Sequence, residues 1–350
     1  MITRRQFVCA TGATIAAPLA MQGCSSGARR DSYDEAVERT WRGAERAVSD
    51  PSSLQRELVR YATLAPSSHN TQCWKFALQE RRISLVPDFS RRCPAVDPDD
   101  HHLFVSLGCA AENLIQAARA HALMGEATFQ VAPTEAVNIA LEPTKAIASR
   151  LFEAIPQRQC TRGEFDGQSV SNQDLKLLEQ AGTGSGVEML LLTDKVAMER
   201  ALEYVVQGNT AQMNDPAFTE ELKAWIRFGD AEAVRTGDGL FSRSTGNPSV
   251  PRWLGSLLFN ALFTTKGEND KYARHIRSSA GIAVFVSDAD NKAHWVEAGR
   301  CYERFALQAT ALGIRNAFLN QPVKRAPSVR KPPWCSQPSA RPCCSVWPRT

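Results

Sequence analysis

The sequence predicts an α+β fold in which two similar lobes share one chain, the second carrying a helical insertion. Three observations carry that expectation. A helix, a loop and a strand follow one another between Leu58 and Asp88, and again between Leu175 and Asp194. Leu107-Gly108-Cys109-Ala110-Ala111-Glu112-Asn113 and Ala298-Gly299-Arg300-Cys301-Tyr302-Glu303-Arg304 each open an alanine-rich helix with Gly and Glu at the same offset. The stretch from about Glu199 to Asn269 has no counterpart in the first half.

Composition sets the outer bounds. A chain of 350 residues, 43% hydrophobic, is long enough for two cores or one extended one. Its formal charge of +4 is modest, and no basic stretch studded with aromatics is present, which excludes a nucleic-acid groove. Ten cysteines without a CxxC signal neither a zinc framework nor a disulfide scaffold.

The N-terminal segment, residues 1–27, reads as a targeting signal. Arg4-Arg5 precedes Phe7 and a mild apolar run from Val8 to Met21, too short and too interrupted by Gly12 and Pro18 to span a bilayer. This pattern is that of a twin-arginine export signal, which carries proteins already folded around a cofactor and implies the export machinery as a partner. The expected destination is the periplasm or cell envelope. Gly23-Cys24-Ser25 leaves two readings open, lipid attachment at Cys24 or none; apart from the signal, that lipid is the only membrane contact expected.

The first half, 33–150, holds the most informative stretch. Leu54, Leu58, Tyr61 and Ala62 recur at helical spacing, and Cys73 to Leu78 and Arg82 to Val86 read as strands. Between helix and strand lies Ala65-Pro66-Ser67-Ser68-His69-Asn70-Thr71-Gln72-Cys73-Trp74. Pro66 and the serines stop the helix. Ser67, Ser68, Asn70 and Gln72 then offer a dense set of donors and acceptors of the kind a polar heterocycle requires.

This stretch resembles the flavin-contacting loop of the nitroreductase superfamily, in which a helix ending in Ala-Pro-Ser is followed by Asn, Gln, Pro and Trp. Cys73 stands where that pattern has proline. The chain is most similar to the branch in which two nitroreductase halves are fused, related to dormancy-associated bacterial proteins. The resemblance implies two fused nitroreductase-like lobes forming an internal pseudo-dimer, and hence a monomer. It further implies one non-covalently bound FMN, a small-molecule electron donor and a nitroaromatic or quinone-like acceptor. The loop's Ser67, Ser68, His69, Asn70 and Gln72 would face the cofactor. No side-chain acid or base is required, so no catalytic residue is assigned.

The second half, 151–323, repeats helix and strand through Leu175, Leu178 and Ala181 and then Glu188 to Thr193, with a further strand at Ile282 to Val286. Its loop is Gly182-Thr183-Gly184-Ser185-Gly186, without the polar set, so one intact site per chain is expected. Arg158-Gln159-Cys160-Thr161-Arg162 resembles the Arg-x-Ser-x-Arg stretch with which nitroreductases hold the flavin phosphate. Two guanidiniums with a hydroxyl between them suit a phosphate, and Arg158, Thr161 and Arg162 complete the expected site across the two halves. The insertion, about 199–269, contains an apolar face (Phe218, Leu222, Trp225, Ile226) and a second apolar run from Trp253 to Phe263, and reads as a lid over the flavin. A flavin-sequestering protein without turnover is the alternative to an oxidoreductase.

The end, 324–350, has six prolines, three cysteines, two tryptophans, six basic residues and no acid. No helical or strand period is legible there, and two readings stand, an out-of-frame end and a genuine basic tail. Asp97, Asp99, Asp100, His101 and His102 invite a metal reading. Aspartates after a proline are common helix caps and adjacent histidines diverge on a helix, so no metal site is expected there.

Overall fold

The computed structural model describes residues 32–43, 50–322 and the backbone of a strand at 342–347. The export signal, Cys24 and the tail from 324 to 341 lie outside the described residues. A short helix, α1 (Tyr33–Thr40), is closed by a capping box between Ser32 and Glu35. Helix α2 (Pro51–Thr63) starts with Asp50 accepting from the Ser53 amide and proline at its first position, and buries Leu58, Tyr61 and Ala62.

Strands β1 (Trp74–Gln79) and β2 (Arg82–Pro87) form a hairpin. Helix α3 (His101–Ala120) comes next, then β3 (Leu123–Gln130) and β4 (Ala136–Pro143), closing an antiparallel sheet of order β1-β2-β4-β3. The first pair was legible as strands. β3 was not, because Leu, Met, Glu and Ala favour helix, and Gly125 within it sits 3.2 Å from Ile115 when given a Cβ. Packing under α3, not propensity, makes this segment a strand.

The second half builds a similar set. After α4 (Arg150–Ala154) come α5 (Asn172–Gly182), β5 (Val187–Leu192) and α6 (Lys195–Met213). The next segment contains α7 (Pro216–Trp225), β6 (Ile226–Arg227), α8 (Asp230–Thr236), β7 (Leu240–Phe241) and α9 (Arg252–Leu262). Then come α10 (Thr265–Arg277), β8 (Gly281–Ser287), α11 (Lys292–Ala311) and β9 (Ala317–Phe318). Strand β10 (Pro342–Trp347) inserts antiparallel between β8 and β9, giving the order β5-β8-β10-β9. This corrects the expectation that the tail holds no strand. Pro342 stands at the first position of the strand, where its missing N–H is tolerated. Within the expected insertion, about 199–269, α6 and α10 bury Met198, Val205 and Ile276 against β8, and the segment from 214 to 264 lies outside that core.

The two long helices determine how the sheets are placed. Every residue of α3 from His101 to Ala118 is buried, the polar Glu112, Asn113 and Gln116 among the apolar ones. A Cβ added at Gly108 would fall on the carbonyl of Val296 and 3.1 Å from the Arg300 amide nitrogen, and one added at Gly299 would fall on the carbonyl of Val105 and 3.1 Å from the Cys109 amide nitrogen. The contact is reciprocal. These glycines fall in the middle of α3 and α11, not near their starts as the sequence suggested, because apolar residues extend each helix upstream. One core runs through both halves, from Leu58 and Ile83 to Phe305 and Ile314.

A methyl group at either glycine would overlap a backbone carbonyl of the other helix, which cannot swing aside as a side chain would. Gly108→Ala is therefore expected to cost about 3 kcal/mol, the upper range for overpacking. Urea unfolding of that variant and of Gly299→Ala should show matching losses.

Candidate functional site

The loop between α2 and β1 is a strained turn. The Leu64 and Ala65 amides still bond back to Tyr61 and Ala62, and Pro66 then ends the helix. A single 3-10 turn is formed by Ser68–Asn70. His69, Asn70 and Gln72 have φ of 47°, 52° and 53°. The left-handed region costs a non-glycine residue about 1–2 kcal/mol, least for asparagine. Three such residues within four positions require compensation. The Asn70 amide donates to Ser67 O (2.9 Å), the Thr71 amide to Ser68 O (2.9 Å) and the Gln72 amide to Ser67 Oγ (3.0 Å). Arg91 Nε donates to Thr71 O at 2.5 Å. Cys73 is buried, and burial pushes its thiol up to about 12, so it is no nucleophile.

The insertion closes the turn from the other side. Asn70 Nδ2 donates to Gly239 O (2.9 Å) and the Gly239 amide donates back to Asn70 O (2.9 Å). Gln72 Nε2 donates to Gly237 O at 2.8 Å. Gly237 and Gly239 have φ of 64° and 78°, which lets their carbonyls face these amides. Asp238 between them bonds Arg91 and accepts from Arg227 Nη2 at 2.7 Å. Burial raises its carboxyl, but the two arginines outweigh that and hold it below the usual carboxylate range. Two of the five loop residues expected to face a cofactor thus have their side-chain amides committed to the insertion.

The second-half residues divide. Arg158 turns inward, 4% exposed, where Nη2 donates to Leu64 O (2.9 Å) and Nε lies 3.2 Å from the Glu303 carboxylate. Its Nε and Nη1 are buried and make no hydrogen bond among the described residues. Arg158 ties the second half to the end of α2, immediately before the turn, and its charge is matched by Glu303. Thr161 donates its amide to Asn316 O (2.8 Å), while Arg162 is exposed and makes no ion pair among the described residues. Arg162 lies close enough to Tyr272 for its charge to act on that phenol, which Gln321 Nε2 contacts at 2.6 Å. Nearby in the chain, Asn316 Nδ2, Asn320 Oδ1 and Gln321 Oε1 are buried with no hydrogen-bond partner among the described residues. Buried amides of this kind mark a place where a polar ligand fits. None of these three residues was expected from the sequence to belong to the site.

The N-cap of α3 is Asp100, which makes no side-chain cap bond; Asp97 satisfies the first free amides instead. Its carboxylate accepts from the His102 amide (3.0 Å) and the Leu103 amide (3.0 Å) and lies 3.3 Å from His102 Nδ1. Burial raises it, yet the His102 hydrogen bond and charge hold it far below the carboxylate range. Contrary to the divergence expected of adjacent histidines, ligating atoms of Asp97, His101 and His102 lie within 4.8 Å of one another.

No family model matches the chain. Two Mycobacterium tuberculosis proteins, from strains CDC 1551 / Oshkosh and H37Rv, are each 24% identical to it over 281 residues, covering 77% of this chain and 77% of theirs. Both carry the name "Putative NAD(P)H nitroreductase". Among solved structures, a nitroreductase with bound FMN from Bacteroides fragilis is 14% identical with a TM-score of 0.34, covering 58% of this chain and 89% of its own. A second FMN-bound nitroreductase, from Desulfitobacterium hafniense, is 12% identical with a TM-score of 0.37, covering 58% and 90%.

Glu303 sets a pH dependence. It is fully enclosed, and burial pushes its carboxyl up to about 7, Arg158 opposing and Glu112 adding to the rise. Its folded pKa exceeds the unfolded 4.5, so its contribution to stability is complete below that value and is lost as pH rises towards 7. Arg158→Met leaves the buried carboxylate without a counter-charge. The expected cost is about 3–5 kcal/mol at pH 8 and clearly less at pH 5, where Glu303 takes up a proton. Urea unfolding at the two pH values measures this; equal losses would contradict the ion-pair account.

Proposed function

We propose that this chain is a nitroreductase-superfamily flavoprotein of the fused, pseudo-dimeric branch, binding one FMN between its two halves and working as an oxidoreductase. The strained turn at His69, Asn70 and Gln72 carries the reading, since backbone strain of this kind accumulates at ligand clamps. The names borne by the two mycobacterial relatives support it. The reciprocal Gly108–Gly299 crossing supports two fused halves, and with them a monomer.

The residues fit FMN in part. Ser67, Ser68, His69, Asn70 and Gln72 supply hydroxyl, imidazole and amide groups for the ribityl chain and ring. Arg162 and Thr161 supply a cation and a hydroxyl for the phosphate, with the unsatisfied amides of Asn316, Asn320 and Gln321 in the same stretch of chain. Arg158 would add a second guanidinium: Nη2 holds the end of α2, while Nε and Nη1 make no hydrogen bond among the described residues. Bound FMN would supply two-electron transfer from a reduced donor to a nitroaromatic or quinone-like acceptor. The protein's part is to hold, orient and screen it.

One observation favours a second reading. With Asn70 and Gln72 bonded to Gly239 and Gly237, the segment 214–264 stands as a lid. A lid that stays shut makes the protein a flavin-sequestering one without turnover. The leader adds to that reading, because an exported protein would meet no reduced nicotinamide.

The FMN-loaded protein should bleach when mixed anaerobically with NADH or NADPH, and a nitroaromatic should restore its colour. Bleaching by dithionite alone would instead select the sequestering reading. Arg162→Ala should weaken FMN by about 2–3 kcal/mol, read by fluorescence quenching. Failure of the wild type to bind FMN at all would end both readings.

The twin-arginine leader completes the proposal with export to the periplasm or cell envelope. Arg4→Lys combined with Arg5→Lys should retain the protein inside the cell, as cell fractionation would reveal.

A further inference from the structure

Three side chains from separate segments meet where the insertion rests on the body. His69 stands in the strained turn, Cys93 in the connection between β2 and α3, and Glu221 on α7. Their ligating atoms all lie within 4.8 Å of one another, and Cys93 Sγ is 3.8 Å from His69 Nδ1. Zinc bonds sulfur at about 2.3 Å and imidazole nitrogen at about 2.0–2.1 Å, so a tetrahedral ion holds such a pair roughly 3.6 Å apart. The observed separation needs almost no adjustment.

The donor set also matches in charge and softness. A thiolate, a carboxylate and a neutral imidazole sum to the charge that balances a divalent zinc ion. The thiolate disfavours magnesium and calcium, which prefer oxygen. Glu221 is aimed by its surroundings, its oxygens accepting from the Ala95 amide (2.9 Å) and the Val96 amide (3.2 Å). Cys93 is 3% exposed and packs with Val96 and Phe218, giving the site an apolar floor.

We propose that His69, Cys93 and Glu221 bind one zinc ion, which clips the insertion to the strained turn and leaves a fourth position for water. The ion joins the body to the insertion beside the Asn70–Gly239 hydrogen bonds, so its occupancy governs how firmly the insertion is held. His69 accordingly takes its left-handed conformation in order to meet Cys93. The proposal shares His69 with the FMN reading, since a zinc-bound imidazole is not available to the flavin; zinc titration and FMN quenching are separate measurements, so each reading can fail without the other.

The test uses the full chain, stripped with chelator and titrated with ZnCl2 in competition with a chromophoric chelator. One equivalent per chain is expected. Cys93→Ser should weaken binding by roughly 100-fold, and His69→Ala and Glu221→Gln by at least about tenfold. Cobalt(II) should give a thiolate charge-transfer band in the wild type that Cys93→Ser lacks. Zinc should also slow proteolysis between Gly237 and Val250 in the wild type and not in Glu221→Gln, circular dichroism confirming that each variant is folded. Absence of zinc binding would overturn the proposal. So would zinc that survives Cys93→Ser but is lost in Asp97→Asn, which would place the ion at Asp97, His101 and His102.

Discussion

Everything in this fold hangs on the backbone-to-backbone contact of α3 and α11 at Gly108 and Gly299. Because neither helix carries a side chain there, each main chain rests against a carbonyl of the other, and the two sheets are fixed by the helices they cover. Four residues further along each helix stands a buried acid. Glu112 meets Arg304 (3.0 Å) and Arg300 (3.4 Å), both on α11, whereas Glu303 meets Arg158. A close crossing leaves no room for water around these carboxylates, so the arginines must accompany them.

Those arginines also shape the two helix-to-strand loops. Arg158 donates to Leu64 O at the end of α2, and Arg304 donates to Ala181 O (3.1 Å) and Thr183 O (3.3 Å) at the end of α5. In both places a cation satisfies the orphan carbonyls of a helix C-terminus. Beyond these carbonyls the two loops diverge. The glycine-rich loop of the second half closes a tight turn, Gly184 pairing with Val187 and Gly186 supplying its left-handed residue, while the polar loop of the first half coils through three left-handed non-glycine residues. The strain in that turn is offset by Arg91, by the hydroxyl of Ser67 and by the carbonyls of Gly237 and Gly239. The insertion is therefore part of what holds the turn in shape, as well as what covers it.

Much of the candidate site was legible because it depends on local chemistry. Pro66 and the two serines must end α2, and Ser67, Asn70 and Gln72 do form the polar turn that the spacing promised. Arg158 and Arg162 looked alike in sequence, and nothing local distinguishes them. Burial does: Arg158 is enclosed with Glu303, whereas Arg162 lies at the surface. The Cys93–His69–Glu221 cluster had no sequence signal at all, since its members are far apart in the chain and lack the short spacing by which ligand sets are recognised.

The sequence by itself determined the α+β class, the strands β1, β2, β5 and β8 and the position of the polar loop. Each comes from periodicity or turn chemistry, both properties of neighbouring residues. Only tertiary structure decided the rest. It made Leu123–Gln130 a strand, placed Pro342–Trp347 between β8 and β9, and put Gly108 and Gly299 in mid-helix. It also bound the insertion to Asn70 and Gln72. These outcomes rest on which backbone groups find partners once distant segments meet, and no local pattern encodes such pairings.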